Sequence, residues 1–158
     1  MASHNLKFMQ HAADLALRKM HENNGGPFGA IVVRDGEIIA EGWNQVTSGN
    51  DPTAHAEIVA IRRACTGLQT FNLEGCEIYT SCEPCPMCLG AIYWARLERL
   101  YYANSRQDAA QIGFDDEFIY SEIGLPLGQR KIPAIRVACE SAEIAFREWA
   151  SSPEKTRY

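Results

Sequence analysis

The chain has 158 residues, 46% of them hydrophobic, and a net charge of −5 from 15 Lys and Arg against 20 Asp and Glu. That length suits one domain with a core of useful size, and no apolar run approaches the ~20 residues that span a bilayer. The acidic balance disfavours a long phosphate backbone as partner, since such binding needs a basic footprint.

The N-terminus lacks the charged, apolar and cleavage-site pattern of a secretory signal, so the chain reads as cytoplasmic. Its six cysteines then read as ligands or buried thiols rather than disulfides. Residues 6–20 carry Leu6, Met9, Ala13, Leu15, Ala16, Leu17 and Met20 at helical spacing, and Asn23-Asn24-Gly25-Gly26-Pro27 ends that helix. Residues 28–33 predict a strand, Arg34-Asp35-Gly36 a hairpin turn, and residues 37–41 the returning strand. A polar loop over 42–52 leads to a helix over 54–65. A third strand over 77–81, a helix over 86–95 and a fourth strand over 97–103 follow. Residues 108–120 predict a loop and a short helix, 134–139 a fifth strand, and 142–150 a last helix. Helices alternating with strands after the hairpin predict a layered α/β/α domain over 1–158, its sheet mostly parallel beyond strand three.

The chemistry concentrates in Cys82-Glu83-Pro84-Cys85-Pro86-Met87-Cys88. Pro84 pushes the residue before it out of the helical region, and Pro86 suits the first position of a helix. Cys85 then falls at the N-cap and Cys88 in the first turn, both sulfurs on one face. The positive end of the helix favours thiolates. Such a pair is a metal half-site or a redox pair. Asp51-Pro52-Thr53-Ala54-His55-Ala56-Glu57 opens a second helix in the same way, with Asp51 or Thr53 as its cap. His55 with Cys85 and Cys88 makes three ligands and leaves the fourth tetrahedral position open, the arrangement of catalytic rather than structural zinc. Cys82, three residues before Cys85, is the alternative fourth ligand that would close that position. Glu57 is the carboxylate placed to accept and return a proton. Cys65, Cys76 and Cys139 read as buried small apolar residues. Trp43, Trp94 and Trp149 read as core or interface.

His-x-Glu followed by Pro-Cys-x-x-Cys resembles the signature of zinc deaminases, and the chain is similar to the cytidine deaminase-like superfamily across nearly its whole length. Gly26-Pro27-Phe28-Gly29-Ala30, Asn50 to Glu57, Cys85 to Arg96 and Gly113-Phe114-Asp115-Asp116 resemble the bacterial guanine deaminase branch. The resemblance implies a three-layer fold around a mixed five-stranded sheet. It also implies one zinc per chain on His55, Cys85 and Cys88, and hydrolysis of guanine to xanthine and ammonia. Glu57 would carry the proton, with Asp116 as second carrier. Phe28, Asn44, the Ala56 N–H and Tyr158 would meet the base. Each has a plainer alternative: Phe28 as a core residue, Asn44 as a loop cap, Asp115 and Asp116 as a helix cap, Tyr158 as a frayed end. The branch also implies a homodimer that exchanges an arm over 129–158. Rival readings are a guanosine deaminase, a tRNA adenosine deaminase sharing Asp-Pro-Thr-Ala-His-Ala-Glu, and a zinc-stabilised binding module.

Overall fold

Asp35 and Gly36 both take positive φ, 52° and 79°, the turn whose twist matches a two-residue hairpin. In the computed structural model, which describes residues 2–157, this turn joins β1 (Gly29–Arg34) to β2 (Glu37–Trp43). β3 (Cys76–Cys82) pairs antiparallel with β1, and β4 (Arg99–Asn104) pairs parallel with β3. The order β2-β1-β3-β4 makes a mixed sheet of four strands, not the five expected. Residues 134–139 form no ladder, and Ile135 and Val137 are 82% and 80% exposed. Residue preference alone does not hold an extended segment; a strand needs a partner for its N–H and C=O groups.

The helices are α1 (Ala2–His21), α2 (Val46–Gly49), α3 (Ala56–Leu68), α4 (Pro86–Trp94), α5 (Arg106–Gln111), α6 (Glu117–Gly124) and α7 (Glu140–Ser151). α2 lies within the expected loop, and α3 starts two residues late. Its start is delayed because Asp51 and Thr53 are occupied with each other. The Asp51 carboxylate accepts from the Thr53 N–H at 2.8 Å and its hydroxyl at 2.7 Å, a closed local turn. No helix among the described residues is long and apolar enough to cross a membrane.

The chain divides into two units, Met1–Phe118 and Ile119–Tyr158. In the second, the Arg130 guanidinium donates to the carbonyls of Ile123 and Leu125, both at 3.0 Å, after the last turn of α6. Cys139 is exposed rather than buried and Cys65 half-buried; Trp94 and Trp149 are exposed, so neither is core.

In the first unit, alternation along the strands splits the core in two. Ala30, Val32 and Ile78 meet Ala56, Ala60 and Ala64 of α3 and Ile92 of α4. Ile31, Val33 and Tyr79 meet Phe8, Ala12 and Leu15 of α1. The register of β1 against β2 slips between Val32 and Val33. This bulge lets Ile38 join the α1 side while Ala40 stays on the α3 side.

Both layers sit on glycine. A Cβ at Gly29 would lie 2.4 Å from the Ala12 carbonyl of α1. One at Gly42 would lie 2.1 Å from the Ala56 carbonyl and 2.5 Å from the Ala60 nitrogen of α3. These are backbone atoms, so the whole helix must move to make room. Gly42→Ala is therefore expected to destabilise the protein by about 3 kcal/mol, the upper end for overpacking, lowering the melting temperature by roughly 6–12 °C. At exposed Gly67 in α3, an added Cβ would meet nothing within 4 Å. Gly67→Ala should raise stability by about 0.5 kcal/mol, as helix propensity predicts. Calorimetry of the two variants checks both signs.

Candidate metal centre and active site

Two helix starts meet at the site. His55 is the N-cap residue of α3 (φ −67°, ψ 158°) and Cys85 that of α4 (φ −67°, ψ 169°), with Pro86 opening the helix behind it. Neither side chain caps its own helix, so both are free to face each other. The Cys85 and Cys88 sulfurs each lie 3.6 Å from His55 Nδ1. All three ligand atoms fall within 4.8 Å of one another. Tetrahedral zinc with Zn–S near 2.3 Å and Zn–N near 2.0–2.1 Å has S···N edges of about 3.6 Å, so the donor set fits that ion. Among the described residues this is the one such group of three. Cys82 stands apart, its thiol directed to the Ser105 carbonyl at 3.6 Å and pushed up to about 11 by burial.

The two thiols lie close enough to shift each other in opposite directions. The Cys88 thiol donates to Cys85 and His55 also faces it, which together pull Cys85 down to about 4. Cys88 is driven up by that Cys85 thiolate and by its own burial. The thiolate also raises His55. A bound dication reverses the Cys88 effect, since it deprotonates a coordinating thiol.

Glu57 sits one residue into α3 beyond Ala56 and is 8% exposed. Burial pushes its carboxyl up. Ala56 is the first residue of α3, where the N–H has no intrahelical acceptor. Asn44 follows β2 and is buried. Its Oδ1 accepts from the Val46 N–H at 3.2 Å and the Gly26 N–H at 3.4 Å. Two donors on the oxygen leave the Nδ2 group as the part available to a ligand. The β2 end is gripped at Trp43, whose ring lies 4.6 Å from Lys19 Nζ and 4.3 Å from the Arg63 guanidinium, two cation–π contacts.

The two adjacent aspartates separate. Asp115 Oδ1 accepts from the Glu117 N–H at 3.1 Å and so serves the start of α6. Asp116 lies where its charge reaches His55 and Cys85. Burial pushes its carboxyl up, Cys85 and Glu83 add to that, and Arg106 opposes it. Phe28 is half-buried at the start of β1, in edge contact with Phe114 at 4.8 Å between ring centres. Phe114 belongs to the Gly-Phe-Asp-Asp motif, yet nothing in the sequence gave it a role of its own. Only its position after Gly113, at φ +93°, marked a sharply turned loop. Tyr158 lies outside the described residues.

The model for the cytidine and deoxycytidylate deaminase zinc-binding region matches residues 2–104. Guanine deaminase of Bacillus subtilis (strain 168) is 52% identical over 151 residues, 96% of this chain and 97% of that one. The X-ray structure of guanine deaminase from Bacillus subtilis superposes with a TM-score of 0.93 at 51% identity over 96% of this chain and 97% of its own. Guanine deaminase from Nitrosomonas europaea gives a TM-score of 0.65 at 37% identity, covering 69% of this chain and 63% of its own. The tRNA-specific adenosine deaminase of Aquifex aeolicus (strain VF5) is 45% identical over 86 residues, 54% of this chain and 57% of that one.

Cys85→Ala removes a sulfur from the three-atom set and is expected to abolish stoichiometric zinc in purified protein, read by elemental analysis. Cys82→Ala should leave the zinc in place. The reverse pattern would transfer the ligand role to Cys82.

Proposed function

The chain belongs to the cytidine and deoxycytidylate deaminase family, and from that premise we propose that it hydrolyses guanine to xanthine and ammonia. The observation that carries the chemistry is a buried carboxylate, Glu57, beside three convergent ligand atoms. The choice of guanine is supported by the end-to-end relation to the Bacillus subtilis enzyme; similarity to the Aquifex aeolicus tRNA deaminase spans about half the chain.

His55, Cys85 and Cys88 would hold one zinc per chain. Zinc supplies the Lewis acidity that makes water nucleophilic near neutral pH. Glu57 takes a proton from the attacking water and delivers it to a ring nitrogen beside C2. Its burial raises the proton affinity that this transfer needs. Glu57, with Asp116 as second carrier, then passes the proton of the added hydroxyl to the amino group, which leaves as ammonia as the C–N bond breaks and the C2 carbonyl forms. Asn44 Nδ2 and the Ala56 N–H hold acceptors of the base, and Phe28 lies along its face. A pocket built for the amide edge of guanine leaves polar groups unpaired with adenine, which rejects it. The enzyme works in the cytoplasm on a small-molecule base, as a single deaminase domain whose residues 129–158 form an arm.

That arm supports a homodimer. β4 ends the sheet, and residues 134–139 carry exposed Ile135 and Val137 without a ladder. An unpaired edge and an unpaired segment of the same chain complement each other across two copies. Exchange of the arm lets Tyr158 of one copy close the site of the other.

Ultraviolet assays of guanine, guanosine, adenosine and cytosine test the substrate. Guanine alone should turn over rapidly. Glu57→Gln should keep its zinc and lose about 10²-fold or more in rate, the usual effect of a missing acid–base group. Near-normal turnover would remove Glu57 from the mechanism.

Arm exchange has its own test. Glu57→Gln and a chain cut after Pro153 should each be inactive. Mixed under conditions that re-form subunits, they should regain activity, since the cut chain then receives an intact tail. No recovery despite heterodimer formation places the tail in its own chain.

A further inference from the structure

We propose that Phe114 is a positioning residue: its ring, packed edge-to-face on Phe28, anchors to the start of β1 the loop that carries Asp116. The loop is tethered at both ends. Behind it, the Phe114 N–H donates to the Ala109 carbonyl at 3.0 Å and the Gly113 N–H to Ala110 at 3.1 Å, the last turn of α5. Ahead of it, Asp115 receives the Glu117 N–H. These bonds fix the loop to its own neighbours in sequence. The ring contact instead joins it to the start of β1, 4.8 Å between centres with the planes at 90°. That is the favoured aromatic geometry, beyond simple area burial.

The post that receives the ring is itself firmly held. The Phe28 carbonyl accepts the Asn44 N–H at 3.1 Å, and the Gly29 N–H donates to buried Ser81 on β3 at 3.0 Å. A Cβ at Gly26 would lie 3.4 Å from both rings, so this turn lines the same contact. Phe114 is 45% exposed, so its removal leaves the core intact. What it changes is the path to Asp116, two residues on.

The inference rests on Asp116 as proton carrier in the proposed reaction. Positioning makes a distinct kinetic mark. Phe114→Ala should lower kcat for guanine about tenfold with KM within about threefold, because it disturbs a transition-state interaction rather than uniform binding. Zinc content and melting temperature should stay near those of the parent. Phe114→Tyr keeps the ring edge and should keep the rate. The deciding measurement is a double-mutant cycle with Asp116→Asn. In that background Phe114→Ala should slow turnover less than about twofold, since residues acting through one another are not additive. Full additivity, or an unchanged kcat in Phe114→Ala, overturns the proposal. Should Phe114→Ala fold poorly, Phe114→Leu in the same cycle decides it by the same criterion. A parent protein without guanine turnover refutes the reaction itself. An Asp116→Asn variant of normal rate refutes the carrier role, and the proposal falls with either.

Discussion

The depth at which α3 lies against β2 governs the site. Gly42 leaves no room for a side chain between strand and helix, and the atoms it meets belong to Ala56 and Ala60. Ala56 stands between His55 and Glu57, and Asn44 lies two residues beyond Gly42. One close backbone approach therefore sets a ligand, a carboxylate and a base contact at once. The Gln45 N–H donates to the Ala54 carbonyl at 2.8 Å and closes the same junction. Interiors at crystal-like density transmit such constraints with little give.

Stability is surrendered where the ligands stand. His55 and Cys85 hold N-cap positions without capping, where a polar cap is commonly worth about 1 kcal/mol. The first N–H groups of both helices are left to serve something other than their own caps. The positive end of α4 favours thiolates, and two thiolates on a single face suit a dication. A bound ion stabilises the folded state by mass action, which offsets the missing caps. α5 illustrates the alternative, with Ser105 and Asp108 exchanging hydrogen bonds in a full capping box away from the ligand set.

What could be read from the sequence was local. Pro84 and Pro86 constrain their neighbours by sterics alone, so the start of α4 was legible to the residue. Asp35-Gly36 was legible for the same reason. The start of α3 was not, because Asp51 and Thr53 are both good caps and hydrogen-bond each other instead. Asp115 and Asp116 carry the same side chain, so the residues alone do not distinguish them; the resemblance chose Asp116, and the Glu117 N–H on Asp115 agrees with that choice. The Phe28–Phe114 contact joins distant parts of the sequence and has no local signature. The missing fifth strand is the same lesson reversed: residues 134–139 have strand-forming side chains, but pairing is decided elsewhere.

β4 also matters during synthesis. It pairs with β3 on one side and ends the sheet on the other. Its sequence, Arg99-Leu100-Tyr101-Tyr102-Ala103-Asn104, contains neither the lysine nor the proline that commonly guards an edge. A ribosome adds roughly 5–20 residues per second, so this edge can form seconds before the last residues of the chain are made. Neighbouring nascent chains on one message would then hold identical bare strands in close proximity. Slower initiation, which spaces the ribosomes, should favour soluble product over aggregates, and that would be a property of the message as much as of the folded protein.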